Sequence, residues 1–358
     1  WSSLTNTLLL MLYSLPPATY TGSGLGWLDC ARNKIHVSLD VHPGPGADIL
    51  KNLVKKSDVL VENVRGGTMD AWGVGYRQLY KINPKLIYCA LTGYGQTGKL
   101  KDRAGHDINY LARSGIANQM GKKKNPWPIQ AADVGGGSFH ALVGILSAVI
   151  HREKTGEGQL VDVSMTDGAM ALNALNIAHY LATDENPKQD SGILDGGTFY
   201  DYYETLDGKY LSVGSLEPKF WKGFCEAIDH PELVEKGLRT PPGYQGELKE
   251  VIAVAIRSRD LASWVAIFEK KDVCVEPVMD IRKVVHDQHT SDRGMIVNVP
   301  DGKGGHQKQV AQPIKFSKST AQYRFTGTKA GIHTREILAE MGFGIFENGD
   351  SIEEEPTL

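Results

Sequence analysis

The sequence predicts an α/β protein with parallel strands, followed by a smaller α+β unit. Helical and strand patterns alternate through residues 47–120, as in chains whose parallel strands are joined by crossover helices. Further on, residues 199–204 and 209–213 flank Asp207-Gly208, a pair that favours a tight hairpin turn. With 358 residues, 41% of them hydrophobic, the chain is long enough for one large or two ordinary domains.

Hydrophobic periodicity places the elements of the first unit. Helices are predicted at 47–55, 73–82 and from 139 to about Gly156, and strands at 59–61, 86–91 and 160–165. The apolar run at residues 8–12 is predicted to be a core segment, because a membrane span needs about 20 residues. We therefore expect no membrane-spanning segment.

The second unit is predicted from a polar, proline-containing stretch and the hairpin that follows it. Its helices are expected at 219–228, 246–256 and 261–270, and a last helix is expected at 334–341. The predicted division is a large domain at 1–180, a linker at 181–198, a small α+β domain at 199–285, a linker at 286–312 and a return to the large domain at 313–358.

Composition excludes several classes of function. The net charge of −3 comes from interspersed acidic and basic residues, so a nucleic-acid partner is not expected. The four cysteines are too far apart for a disulfide framework or a zinc site, and His286 with His289 lacks further ligands. Free thiols indicate a reducing compartment, either the cytoplasm or an organellar matrix such as that of mitochondria or peroxisomes, although the chain carries no clear targeting signal.

Two motifs offer proton carriers. His106 stands in the run Gly105-His106-Asp107, and Asp133 stands shortly before Gly135-Gly136-Gly137 and an apolar helix. Ordinary pKa values of about 6.5 for histidine and about 3.9 for aspartate make such a pair suitable for acid–base chemistry once their directions are fixed. On local sequence alone, a hydrogen-bonded structural histidine and a helix-capping aspartate remain the alternatives.

A series of motifs resembles the family III CoA-transferase superfamily, and within it the racemases of 2-methylacyl-CoA thioesters. Order and spacing carry this resemblance over residues 28–346. The motifs include Asp58-Val59-Leu60-Val61-Glu62-Asn63, Asn83-Pro84-Lys85-Leu86-Ile87-Tyr88, Thr92-Gly93-Tyr94-Gly95-Gln96-Thr97-Gly98, those of His106 and Asp133, and Val213-Gly214-Ser215-Leu216-Glu217-Pro218.

The resemblance implies a Rossmann-like large domain, a smaller α+β domain and an interlocked homodimer with shared active sites. It implies that His106 and Asp133 are the two catalytic bases and that Glu217 joins them from the partner subunit. It implies a reaction of lipid or fatty-acid metabolism in which coenzyme A is part of the substrate, without a metal or a redox cofactor. Residues expected to contact the CoA substrate are Asn63, Val64, Arg65, Asp107, Tyr110, Gly135 and Gly136, with ordinary packing as the alternative for Asp107 and Tyr110.

The chain departs from the family pattern at three places. No opening strand–helix–strand is recognisable before Leu28, Ala71 stands where relatives carry a basic residue, and Ile129 stands where they carry asparagine. Two other functions therefore remain open. One is a CoA transferase in which Asp133 is the covalent nucleophile. The other is a catalytically silent CoA-binding relative.

Overall fold

The computed structural model describes residues 9–12, 31–120, 126–328 and 331–342. Its strands are β1 Leu9–Leu12, β2 Val59–Glu62, β3 Ile87–Thr92, β4 Leu160–Ser164, β5 Asp201–Glu204, β6 Tyr210–Val213, β7 Val275–Pro277, β8 Ile296–Pro300 and β9 His306–Val310. Its α-helices are α1 Pro45–Val54, α2 Thr68–Ala71, α3 Tyr76–Ile82, α4 Asp107–Arg113, α5 Ile116–Gln119, α6 Phe139–Thr155, α7 Met165–Leu172, α8 Ala174–Thr183, α9 Pro218–Ala227, α10 Leu233–Arg239, α11 Gly246–Arg257, α12 Leu261–Phe268, α13 Ile281–His286, α14 Gln288–Asp292 and α15 Thr334–Glu340. A π-helix, Ala131–Ser138, directly precedes α6.

Contacts within the chain define two compact units. Unit 1 comprises Trp1–Thr92, Ala141–Asp162 and Val285–Leu358, and unit 2 comprises Gly93–His140 and Val163–Val284. The contact division groups residues 93–140 with the segment that contains the hairpin, whereas the sequence analysis assigns them to the large domain. The predicted domain boundaries stay a prediction.

Unit 1 contains a parallel sheet in the strand order β1-β2-β3-β4. β1 pairs in parallel with β2, and β2 pairs in parallel with β3 in the register Leu60↔Tyr88. Side chains alternate along β2, so that Leu60 packs with the core of α1 and α3 while Val59 packs with Ile87 and Ala148 on the other face. Both faces of β2 are therefore covered by helices, as the continuous apolar run predicts.

Unit 2 contains the predicted hairpin and its helical cover. β5 and β6 pair antiparallel with Tyr203 opposite Leu211, and β7 joins on the other side of β6. Gly208 has φ 69°, which the tight turn requires. Its core includes the fully buried side chains of Trp221, Phe224, Leu211, Leu248, Ile252 and Ile256. The predicted helices over 219–228, 246–256 and 261–270 correspond to α9, α11 and α12.

The stretch 286–312, predicted as a linker, contains α14 and the antiparallel pair β8 and β9. Asp301 Oδ1 accepts hydrogen bonds from the backbone N–H groups of Lys303 and Gly305, which closes the turn between the strands. The sequence signal for this hairpin, which the sequence analysis missed, is the turn pair Asp301-Gly302 after the alternating residues 296–299. The linker predicted to start at 181 also begins late, since α8 continues to Thr183.

The predicted N-terminal core segment is strand β1, at the edge of the sheet, so the sheet does contain a strand before Leu28. Cys89, Cys225 and Cys274 are free thiols, and Cys30 lies outside the described residues. The π-helix and α6 together, Ala131–Thr155, are long and apolar enough to cross a membrane by length and composition alone. A single helix of this kind is weak evidence of a membrane span, since helices of soluble proteins pass the same test.

Candidate active site

His106 is the residue that immediately precedes α4. Its backbone is extended, with φ −134° and ψ 175°, and its N–H donates to Oδ1 of Asn109 at 3.0 Å. Its carbonyl oxygen accepts from the N–H groups of Asn109 and Tyr110, the first bonds of the helix. These bonds fix the backbone of His106 while its side chain is exposed.

Tyr110 supports the loop that leads into His106. Its hydroxyl donates to the carbonyl oxygen of Gly105 at 2.5 Å, and its ring packs edge-on against Tyr94 at 5.2 Å between centroids. A Cβ on Gly93 or Gly105 would lie 2.5 or 2.7 Å from the Tyr110 ring, so the ring fits only against glycine backbone. Burial, and next the charge of Asp133, raise the pKa of Tyr110 to about 12. The Tyr110 side chain is thus buried and packs beside Asp133. Its contact with the CoA substrate stays a prediction.

Asp133 is not a helix cap, which corrects the local expectation. The π-helix begins two residues earlier, at Ala131, and Gln130 occupies the N-cap position. The wide turn is visible where the N–H of Phe139 reaches the carbonyl oxygen of Val134. Asp133 therefore lies inside the first turn of this helix.

Asp107 is the residue that caps the π-helix from outside. Its Oδ1 accepts from the backbone N–H groups of Ala132 at 2.7 Å and of Asp133 at 3.0 Å. The first N–H groups of a helix have no partner within it, and here a carboxylate from α4 supplies one. Asp107 thereby ties the segment after His106 to the backbone of Asp133.

The glycine run is explained by the close approach of the π-helix to α7. A Cβ on Gly168 would overlap the carbonyl oxygen of Gly136, and a Cβ on Gly136 would lie 2.7 Å from the backbone N of Ala169. Gly135 is less crowded, since a Cβ there would lie 3.3 Å from Cδ1 of Leu172. Gly136 therefore has a packing role, and the predicted substrate contacts of Gly135 and Gly136 stay predictions.

The surroundings of Asp133 raise the pKa of its carboxyl group. The side chain is partly buried, and its Oδ1 is a buried atom without a hydrogen-bond partner. Burial, and next the neighbouring charge of Asp107, raise the pKa of Asp133, while His106 lowers it. The bond from the Asp133 N–H to Asp107, the residue after His106, brings the His106 segment and Asp133 together. Perturbed carboxyl groups are typical of functional sites.

Glu217 is the N-cap residue of α9, immediately before Pro218, and its side chain is exposed. No hydrogen bond or ion pair to His106 is found for it within the described residues. Its charge helps to raise the pKa of the Cys274 thiol, after the larger effect of burial. The approach of Glu217 to a partner's His106 stays a prediction.

The predicted CoA-contacting residues Asn63, Val64 and Arg65 form the turn after β2, in unit 1. Asn63 and Arg65 are exposed, and the N–H of Val64 donates to Oε2 of Glu62 at 2.9 Å. Sequence analysis missed Glu62, which is only 3% exposed. The sequence signal that could have identified it is an acidic residue at the end of a predicted apolar strand. Ligands in parallel sheets bind outside the carboxyl ends of the strands, where this turn lies.

No group of three or more His, Cys, Asp or Glu side chains that could hold a metal ion occurs within the described ranges. Residues 121–125, which include the lysine run Lys122-Lys123-Lys124, lie outside those ranges.

Residues 13–334 match the model of CoA-transferase family III. The chain belongs to this family. The match begins before Leu28, further upstream than the motifs alone indicate. A curated relative, alpha-methylacyl-CoA racemase of Homo sapiens, is 34% identical over 342 residues, which cover 92% of this chain and 85% of that relative. Another, the beta subunit of succinyl-CoA--L-malate CoA-transferase of Chloroflexus aurantiacus, is 30% identical and covers 90% of this chain and 82% of its own length.

A solved structure has the same fold. The crystal structure of a CAIB/BAIF family protein from Brucella suis superposes with a TM-score of 0.76 at 22% identity, covering 94% of this chain and 92% of that one. The predicted family and the α/β fold are therefore confirmed. Named relatives include both racemases and CoA transferases, so family membership leaves the reaction to be argued from the site.

Proposed function

We propose that this protein is a racemase that inverts the α-carbon of 2-methylacyl-CoA thioesters by two-base proton transfer. The observation that carries the proposal is the placement of a partly buried Asp133 carboxyl group next to the His106 segment, where Asp107 accepts a hydrogen bond from the backbone N–H of Asp133. Inversion needs one group that removes a proton and another that returns a proton on the opposite face. An imidazole and a carboxyl group can supply both.

The reaction balances without any further reagent. For one enantiomer, the neutral imidazole of His106 takes the α-proton and protonated Asp133 gives its proton to the other face of the resulting enolate. For the other enantiomer, the carboxylate of Asp133 takes the proton and the imidazolium of His106 gives one. Positioned acid–base groups of this kind are typically worth 10²–10⁴-fold in rate. Side chains carry every proton, so the reaction requires neither a metal nor a redox cofactor.

The enolate oxygen needs hydrogen-bond donors that are already in place. Backbone N–H groups of the Asp107 segment or of the glycine run 135–137 are the candidates for this role. The turn Asn63-Val64-Arg65 would contact the CoA portion, with the Arg65 guanidinium suited to a phosphate. Binding energy from that remote portion would help to orient the α-carbon.

The functional protein is proposed to be a homodimer. On α6, Phe139, Val143, Leu146 and Ile150 recur at helical spacing and are 53% to 63% exposed. On α8, Leu175 and Leu181 are 79% and 78% exposed. Exposed apolar faces of this kind mark interaction sites, and we assign a second copy of the chain to them. That the partner's Glu217 joins His106 is a separate part of the proposal, tested by mixed dimers.

The alternative within the family is CoA transfer, which the transferase relatives favour. In that reaction the Asp133 carboxylate attacks the acyl-CoA thioester carbonyl, CoA thiolate leaves, and the thiolate then attacks the acyl–Asp133 anhydride to give an aspartyl-CoA thioester and the free acid. His106 has no necessary part in these steps. We prefer racemisation because His106 lies in the same site without a necessary part in CoA transfer, and because a racemase is among the relatives that match most of the chain.

The experiment that tests the proposal follows the α-proton of (2R)- and (2S)-2-methylacyl-CoA esters in deuterium oxide. We expect deuterium to enter at the α-carbon with inversion in the wild type. Inversion should fall at least about 100-fold in His106→Ala and in Asp133→Asn, as expected for general acid–base groups. The transferase alternative predicts no exchange, full tolerance of His106→Ala, and an aspartyl-CoA adduct at Asp133 by mass spectrometry when the acyl-CoA donor is added without a carboxylic acid acceptor.

The shared site is tested by co-expression of His106→Ala and Glu217→Ala chains. In a mixed dimer one site carries both changes and the other carries neither, so activity is restored relative to each variant alone. If Glu217 acts within its own chain, every site keeps a defect and activity is not restored. Sedimentation equilibrium of each preparation supplies the control that dimers form.

A further inference from the structure

We propose that Asp107 is a positioning residue whose carboxylate fixes Asp133 relative to His106 for proton transfer. This inference rests on the proposed racemase function and adds a residue to its site. Asp107 does not transfer the proton itself, because its Oδ1 is already occupied by the backbone of the π-helix.

The geometry joins the two proton carriers through one side chain. Asp107 follows His106 directly in the chain, and its Oδ1 accepts from the N–H groups of Ala132 at 2.7 Å and Asp133 at 3.0 Å. Hydrogen bonds from backbone N–H groups to a carboxylate are charge-assisted and stronger than neutral ones. Ala132 and Asp133 lie 25 and 26 residues after Asp107 in the chain. These bonds thus fix the distance between the His106–Asp107 segment and the backbone of Asp133.

Other contacts hold the two segments that Asp107 connects. On one side, Asn109 Oδ1 and the Tyr110 hydroxyl hold the backbone around His106. On the other, Gly136 packs backbone to backbone against α7, so the π-helix cannot shift towards it. Asp107 is the side chain that connects these two fixed elements. A displacement of about 1 Å in a catalytic group is enough to cost about 10²-fold in rate.

Asp107 also acts through its charge. Three ionisable side chains of the described residues face Asp133. Asp107 raises the pKa of its carboxyl group and His106 lowers it, while the Tyr110 hydroxyl, which donates to Gly105, stays neutral. A structural cap would only hold the helix. A negative charge beside the carboxyl group additionally helps it to keep a proton until the enolate forms. The two effects can be separated, because an asparagine oxygen accepts the same N–H groups without the charge.

The test compares Asp107→Asn and Asp107→Ala with wild type, and uses Asp102→Ala, an exposed aspartate of the preceding loop, as the control. Racemisation of both enantiomers is measured as kcat and KM from pH 5 to 9, together with thermal unfolding and acetyl-CoA binding by calorimetry. For the enantiomer that His106 deprotonates, the rate falls as pH rises through the pKa of Asp133.

We expect Asp107→Ala to lower kcat by about 10- to 100-fold while KM changes less than about threefold, since positioning acts on the chemical step. Asp107→Asn should restore most of kcat and move the high-pH fall of that rate to lower pH. The control variant Asp102→Ala should match wild type in kcat and in the pH at which the rate falls. If Asp107→Ala does not fold, the pH profile of Asp107→Asn carries the test.

Two results overturn the inference while the racemase function stands. One is a kcat of folded Asp107→Ala within about twofold of wild type. The other is an Asp107→Asn profile that coincides with that of wild type. If wild-type protein that binds acetyl-CoA exchanges no α-proton, the proposed function fails, and the role of Asp107 fails with it.

Discussion

We predict that the buried carboxyl group of Glu62 makes the free energy of unfolding fall as pH rises. This carboxyl group ends β2, is 3% exposed, and lies on the same face of the sheet as Leu60. Burial raises the pKa of Glu62 to about 8, and the charges of Asp162 and Asp70 add to the rise, although the N–H of Val64 opposes it. At neutral pH the folded protein therefore keeps Glu62 protonated, whereas the unfolded chain has it ionised.

The sign follows from proton linkage. Below about pH 4.5, the ordinary value for glutamate, both states hold the proton and burial of Glu62 carries no ionisation penalty. As pH rises from there to about 8, unfolding releases a proton and the free energy of unfolding falls by about 1.4 kcal/mol per pH unit. Over the whole interval the loss amounts to roughly 5 kcal/mol at most, and solvent relaxation around the buried group makes about 3 kcal/mol a realistic figure.

The perturbation is Glu62→Gln, which keeps an oxygen for the Val64 N–H and removes the ionisation. We expect the two proteins to differ by about 1 kcal/mol or less near pH 4.5 and the variant to be the more stable by about 3 kcal/mol above pH 8. Urea unfolding followed by circular dichroism across this range measures the difference, and the exposed Glu250→Gln serves as control. A difference between Glu62→Gln and wild type that stays constant with pH would refute the reasoning.

Three further outcomes test the packing of unit 2. Gly168→Ala should destabilise by about 1–3 kcal/mol or more in thermal unfolding, because its Cβ would overlap the carbonyl oxygen of Gly136; an unchanged Tm would contradict that contact. Tyr110→Phe should cost about 1–3 kcal/mol by leaving the Gly105 carbonyl unpaired, with retained stability as the contrary result. Hydrogen bonds from Lys209 and Thr205 hold the pKa of Asp207 well below its usual range, so Asp207→Ala should lower Tm at pH 7 and progressively less as pH falls below 4; an effect that grows on acidification would oppose this assignment.

The fold was predictable where one local pattern determined one element. The apolar run Val59-Leu60-Val61 predicts a strand covered on both faces, and the structure pairs it with β1 and β3. The pair Asp207-Gly208 predicts the hairpin, and Gly208 has the positive φ that the turn needs. The pair β8 and β9 was missed because the glycines of residues 302–305 were interpreted as a flexible linker, whereas Asp301 orders that turn.

The candidate site was predictable in its residue types and not in its geometry. His106 and Asp133 stand in recognisable motifs, but the π-helix that holds Asp133 depends on contacts with α4 and α7 that no local window contains. The capping of that helix by Asp107 spans more than 20 residues, and the need for glycine at Gly168 appears only when α7 packs on Gly136. Periodicity reports which face of an element is apolar, and it carries no information about such long-range polar contacts.

The central claim is that His106 and Asp133 serve opposite faces of one α-carbon, and single-base variants test it most directly. Each purified enantiomer of a 2-methylacyl-CoA ester is incubated in deuterium oxide with Asp133→Asn or His106→Ala, and α-deuterium and configuration are measured separately. We predict that Asp133→Asn exchanges only the enantiomer facing His106, that His106→Ala exchanges only the other, and that neither inverts its substrate. Loss of exchange from the same enantiomer in both variants, or inversion by either variant, would contradict the account.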